Sequence, residues 1–164
     1  MVIILRSKNI VVVCHCVLNQ NSVVCPLARA RGAFTFVKQL VDEGVGIIQL
    51  PCPEFKYLGI TRKPMNKDEY DNVKYRQLCK SISLQSIEEL FEYINNGYLI
   101  KGVIGINKSP TCSITKETGV FMEEFFALLK EKNLYLNYTE VPVDFDNKKD
   151  SESFYSKLKF DLKL

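Results

Sequence analysis

The chain has 164 residues, 46% of them hydrophobic and 25% charged, and a formal net charge of +3. That is enough for one domain with a sizeable core, and it offers no basic face to argue for a nucleic-acid polymer. No stretch reaches the roughly 18 uninterrupted apolar residues of a membrane span, and the apolar start lacks the length and basic flank of a signal peptide, so a cytoplasmic protein with no membrane partner is expected.

Residues 1–8 read as an extra edge strand or a loose end. Residues 9–14 are rich in Val and Ile and apolar on both faces, which suits a central parallel strand. A polar turn follows from Cys16 to Cys25. Pro26 suits the first turn of a helix running to about Glu43, with Leu27, Phe34, Val37, Leu40 and Val41 as its stripe and Gly44 as its stop. Residues 45–50 form the second strand, and Pro51-Cys52-Pro53 places a cysteine on a stiff, extended segment outside the ladder. After a loop at residues 57–64, a long helix spans about 68–95, with a break near 81–86. Residues 100–106 are the third strand and 109–113 the loop after it. Thr115 or Thr118 is placed to cap the next helix, whose Phe121, Met122, Phe125, Phe126, Leu128 and Leu129 read as core. Residues 134–141 are a fourth strand, and a short helix at 151–157 lies in the charged tail. Strand and helix alternate throughout, which points to a single-domain, Rossmann-like, three-layer α/β fold with a mostly parallel sheet.

The chemistry is carried by cysteine. Six are present, at positions 14, 16, 25, 52, 79 and 112. In a cytoplasmic protein, metal binding or thiol chemistry explains clustered cysteines better than disulfides do. Cys79 lies inside a helical pattern and reads as a plain buried thiol, and Cys25 sits before a helix start. Cys14, Cys16, Cys52 and Cys112 each follow a strand, where open parallel sheets bind ligands. Cys14 and Cys16 share a strand face unless the turn begins between them. Thiolates gathered at one sheet edge are costly unless a metal neutralises them, and soft sulfur ligands select zinc, copper(I) or iron–sulfur clusters. No G-x-G-x-x-G, Walker loop, G-x-S-x-G elbow or C-x-x-C pair is present.

Three stretches in order, Cys16-Val17-Leu18-Asn19, Cys52-Pro53-Glu54 and Ser109-Pro110-Thr111-Cys112, resemble the thiouracil desulfurases and their relatives. The Leu58-Gly59-Ile60 and Arg62-Lys63-Pro64 stretch is also similar to the Gly-rich, Arg-Pro segment of that family, so the resemblance covers roughly residues 10–120. It implies a [4Fe–4S] cluster held by Cys16, Cys52 and Cys112, with one iron lacking a protein ligand, acting without net redox change on a small thiolated substrate such as a thio-nucleobase. It further implies Glu54 as general base or proton shuttle and Ser109 as a hydrogen-bonding or protonating group toward the substrate. Cys14, His15 and Asn19-Gln20-Asn21 depart from the family pattern. Cys14 then reads as a spare ligand, a sulfur acceptor or a small buried strand residue. The alternative function is a non-catalytic zinc- or cluster-binding module, with Cys14 or His15 as a fourth ligand.

Overall fold

The computed structural model describes residues 5–164. Four strands, β1 (Asn9–Val13), β2 (Gly46–Gln49), β3 (Leu99–Ile106) and β4 (Tyr138–Val141), form one all-parallel sheet in the order β2-β1-β3-β4. Strand β1 takes an interior position because Ile10 to Val13 are buried on both faces, and a strand covered on both sides needs no polar alternation. Its Val12 sits opposite Ile48 of β2 and Val103 of β3. The β1–β3 register slips between Ile10 and Val11, where Gly102 is required. A Cβ there would lie 2.4 Å from the Asn137 carbonyl oxygen and 2.6 Å from Leu162.

The helices are α1 (His15–Leu18), α2 (Val37–Asp42), α3 (Pro53–Leu58), α4 (Lys67–Tyr70), α5 (Val73–Asn95), α6 (Val120–Glu131) and α7 (Ser151–Leu162). Helix α5 packs on α6 and β3, while α7 lies against β3 and β4 and reaches the α2 segment through the Phe36–Phe154 ring contact. Phe121, Met122, Phe125, Leu128 and Leu129 of α6 are buried, as their helical spacing predicts. The fold is therefore α/β with a parallel sheet flanked by helices, as expected. Among the described residues, no helix is long and apolar enough to cross a membrane.

Several elements differ from expectation. The helix expected from Pro26 shrinks to Val37–Asp42, because residues 26–36 spend their backbone groups on the turn after β1. Gly32 accepts from the Gln20 N–H, and the Phe34 N–H donates to Val17. The long helix breaks at Asp71 and Asn72, where Asn72 caps α5 by accepting the Tyr75 N–H at 3.0 Å. The 81–86 region stays helical, with the Ser86 hydroxyl donating to the Ile82 carbonyl. Neither Thr115 nor Thr118 caps α6, whose N-cap is Gly119. Residues 5–8 form no strand, and the rest of the edge strand expected at residues 1–8 lies outside the described residues.

Candidate functional site

Because every strand runs the same way, the segments after β1, β2 and β3 emerge at one edge of the sheet. After β1, the Cys14 N–H still donates to Ile104 at 3.1 Å, and α1 begins at the next residue. The turn thus falls between the two thiols. Cys16 lines a cavity, while Cys14 is fully buried, with Cys112 as a neighbour of its thiol. Gln20 fixes this turn, donating to the Cys16 carbonyl at 2.8 Å and accepting the Arg29 N–H at 2.7 Å.

After β2, the expected stiff segment becomes the start of a helix. Pro53 occupies the first turn of α3, and Cys52 is the N-cap, its sulfur accepting the Phe55 N–H at 3.5 Å. That places Glu54 in the first turn of α3, with its side chain 14% exposed. Its Oε2 accepts from Arg62 Nε at 3.1 Å. Arg62 is itself buried, and its other nitrogens donate to the Gly59 and Ser22 carbonyls at 3.1 and 2.7 Å.

After β3, the loop returns to its own strand, with the Ile106 N–H donating to the Cys112 carbonyl at 3.1 Å. Ser109 Oγ accepts the Thr111 and Cys112 N–H groups at 3.3 and 3.0 Å, so its oxygen holds the cysteine turn together. The Tyr75 and Thr111 hydroxyls are hydrogen-bonded at 2.9 Å. Gly119 allows α6 to start against this turn, since a Cβ there would lie 2.2 Å from the Thr111 carbonyl carbon. Glu140 of β4 accepts the Ser113 hydroxyl and the Ile114 N–H from the far side.

These segments enclose a cavity of about 130 Å³. Cys16, Cys52, Cys112, Glu54 and Ser109 all line it. So do three residues that the sequence did not single out as functional: Arg29, Arg62 and Tyr70. Arg62 had been noted only as part of a motif, Tyr70 is indistinguishable in sequence from a core aromatic, and Arg29 carries no sequence signal. Arg29 donates to the Asn107, Val141 and Pro142 carbonyls, tying residues 26–36 to the ends of β3 and β4. Val24, Leu27, Met65 and Ile106 supply apolar wall. His15, exposed Cys25 and buried Cys79 lie outside the cavity.

The thiols are held in their neutral form. Burial, then the neighbouring Cys112 and Cys52, push the Cys16 thiol up. Burial and Cys112 raise Cys52 to about 12. For Cys112 the Cys14 contact and burial act together in the same direction. Burial does the same to Cys79, outside the cavity, so the raised values report the burial and crowding of the thiols. Among the described residues, no three His, Cys, Asp or Glu side chains converge on a single ion position. The three cavity thiols share the wall of one space.

No family model matches the chain, and no solved structure does. It is 44% identical over 155 residues to MJ0003, an uncharacterized protein of Methanocaldococcus jannaschii, an alignment covering 94% of this chain and 97% of that one. With that identity sustained along nearly the whole of both chains, the protein belongs to the same family as MJ0003.

Proposed function

We propose that the protein is an iron–sulfur-dependent, non-redox desulfurase that converts the thiocarbonyl of a small molecule, such as a thio-nucleobase, to a carbonyl. One observation carries the reading: three cysteines from three strand ends line one cavity together with a carboxylate and a serine. Cys16, Cys52 and Cys112 would hold the cluster. When bound, a [4Fe–4S] cluster with three thiolate ligands supplies one iron free of protein, a Lewis acid with affinity for sulfur.

The remaining work falls to the chain. Overall, water adds its oxygen to the thiocarbonyl carbon, the C–S bond breaks, and the sulfur leaves as hydrogen sulfide. Glu54 takes the proton from the water, with Arg62 fixing its other oxygen so that the carboxylate has one orientation. Ser109 acts first on the protein, holding the Cys112 turn, and it lines the same cavity. Arg29 and Arg62 place positive charge around a site that would contain three thiolates.

Anaerobic purification tests this. The expected protein is brown, contains iron and acid-labile sulfide in equal amounts, and releases sulfide from 2-thiouracil or a related compound. The burial of Cys14 next to Cys112 favours a second reading, a closed non-catalytic metal module with Cys14 as a fourth ligand. A colourless protein with stoichiometric zinc would favour it over the first.

A further inference from the structure

Residues 59–66 cross one side of the cavity as a strap, with Arg62, Pro64 and Met65 in its wall. The strap leaves α3 at Gly59, whose φ of 78° is left-handed and whose surroundings are open, with nothing within 4 Å of the place a Cβ would take. It ends at Asn66, fixed by the reciprocal capping box of Asn66 and Glu69 that starts α4. Among the described residues, no backbone group from Ile60 to Met65 makes a hydrogen bond. Ile60, Thr61, Lys63 and Pro64 are exposed, and Met65 packs on the core only at the far end. Arg62 alone is buried, and it does the fastening. Its Nε donates to Glu54 of α3 at 3.1 Å, and its Nη2 donates to the Ser22 carbonyl, on the turn after β1, at 2.7 Å. Ser22 also lines the cavity, so this side chain ties separate parts of the wall together. The space so enclosed is about 130 Å³, against roughly 300–1,000 Å³ for ligand sites in general. A cluster and a substrate together need more room than that, so part of the wall must move aside, and the strap is the part with the fewest ties.

We propose that residues 59–65 are a hinged strap that opens to load the cavity, and that the Arg62–Glu54 ion pair is its latch. The latch partner is the carboxylate assigned above as the base. Opening the strap therefore also releases that carboxylate, and only the closed strap holds it in one orientation. The link to chemistry rests on the desulfurase reading; the latch itself does not.

Arg62 is its own reporter. An arginine-specific protease must draw that side chain into its own pocket, so the Arg62–Lys63 bond is cut only when the strap is unlatched. Arg76, inside α5, is the contrasting site, since cutting there requires the helix to unfold. Anaerobically prepared protein is digested briefly across a urea series, and chains cut once at either arginine are counted by mass spectrometry. The cut at Arg62 is expected to be the faster and nearly independent of urea, because a local opening exposes little surface. Glu54→Gln speeds it about tenfold or more, the scale of a hydrogen bond between charged groups. Equal rates and equal urea dependence at the two sites overturn the proposal, because the strap then opens only with the whole fold. So does an Arg62 rate that Glu54→Gln leaves unchanged. Anaerobic reconstitution of the same preparations with iron and sulfide separates the two readings. Cluster uptake with the two cuts in step removes the latch alone, whereas an early Arg62 cut with no uptake removes the desulfurase reading and leaves the latch.

Discussion

Glu54 is held by Arg62 through one carboxylate oxygen, which is how a base is kept in one orientation. Glu54→Gln keeps the shape and removes the basicity. Turnover is expected to fall by about 10²–10⁴ with iron content unchanged, while stability drops by about 1–3 kcal/mol because Arg62 keeps a weaker partner. Iron-normalised sulfide release and denaturant unfolding measure the two effects separately, and full turnover in this variant would exclude Glu54 from the chemistry. Cys79 gives the contrasting case. It is fully buried in α5 and away from the cavity, so Cys79→Ala should leave iron binding intact and cost no more than a few kcal/mol. Loss of iron from that variant would show that the ligands lie elsewhere. Cysteines after strands are legible in a sequence because strand ends are. Arg29 and Tyr70 are not, since one bonds carbonyls 78 to 113 residues away and the other looks like any core aromatic until the fold brings it to the cavity wall.

At the level of elements, the turn carrying Cys112 is held from both sides. On one side, α6 starts so close that Gly119→Ala would drive a Cβ into the Thr111 carbonyl. Backbone is the obstacle, so relaxation is expensive. The variant should lose at least about 3 kcal/mol and a large part of its iron. Thermal melting and iron analysis check this, and a variant as stable and as iron-rich as the wild type would show that the turn is not held this way. On the other side stands Glu140. Burial pushes its carboxyl up, but the Thr115 hydroxyl and the Ile114 N–H outweigh this and leave it below the usual carboxylate range. A lowered folded value means that the stabilisation is fully present above the unfolded value of about 4.3 and is lost as pH falls through the folded value. Glu140→Gln should therefore flatten the acid limb of stability from about pH 5 downward while changing its slope little near neutrality. Unfolding midpoints across that range decide it; an unaltered acid limb would assign the pH dependence to other carboxylates. The strands and α6 follow directly from apolar patterning. The helix expected after Pro26 fails because residues 26–36 fold irregularly over α1, leaving Phe34, Val37 and Leu40 of its stripe buried but Leu27 and Val41 exposed, a long-range arrangement that periodicity cannot register.

For the molecule as a whole, the order β2-β1-β3-β4 means that the chain leaves β1 toward β2 and then crosses back to β3. Ligands of open parallel sheets gather where the direction of winding reverses, and here that point lies at the end of β1, where Cys16 sits. The alternation of elements made the parallel sheet readable, and with it the shared edge. The cavity's composition beyond the cysteines depended on how the loops close, which no single stretch encodes. Since three strand ends share the cavity thiols, bound iron should stabilise the entire fold: removing it anaerobically with a chelator is expected to lower the melting temperature. Equal melting with and without iron would place the metal outside this cavity. Cys16, Cys52 and Cys112 also set the order of events in the making of the protein. A chain still emerging from the ribosome short of residue 112 displays only two of these thiols, and short of Gly119 it lacks the start of the helix that braces the third. On the proposed reading, maturation is post-translational: a delivery partner has nothing to load until β3 has docked beside β1, and nascent chains offer scavenged iron no finished trap.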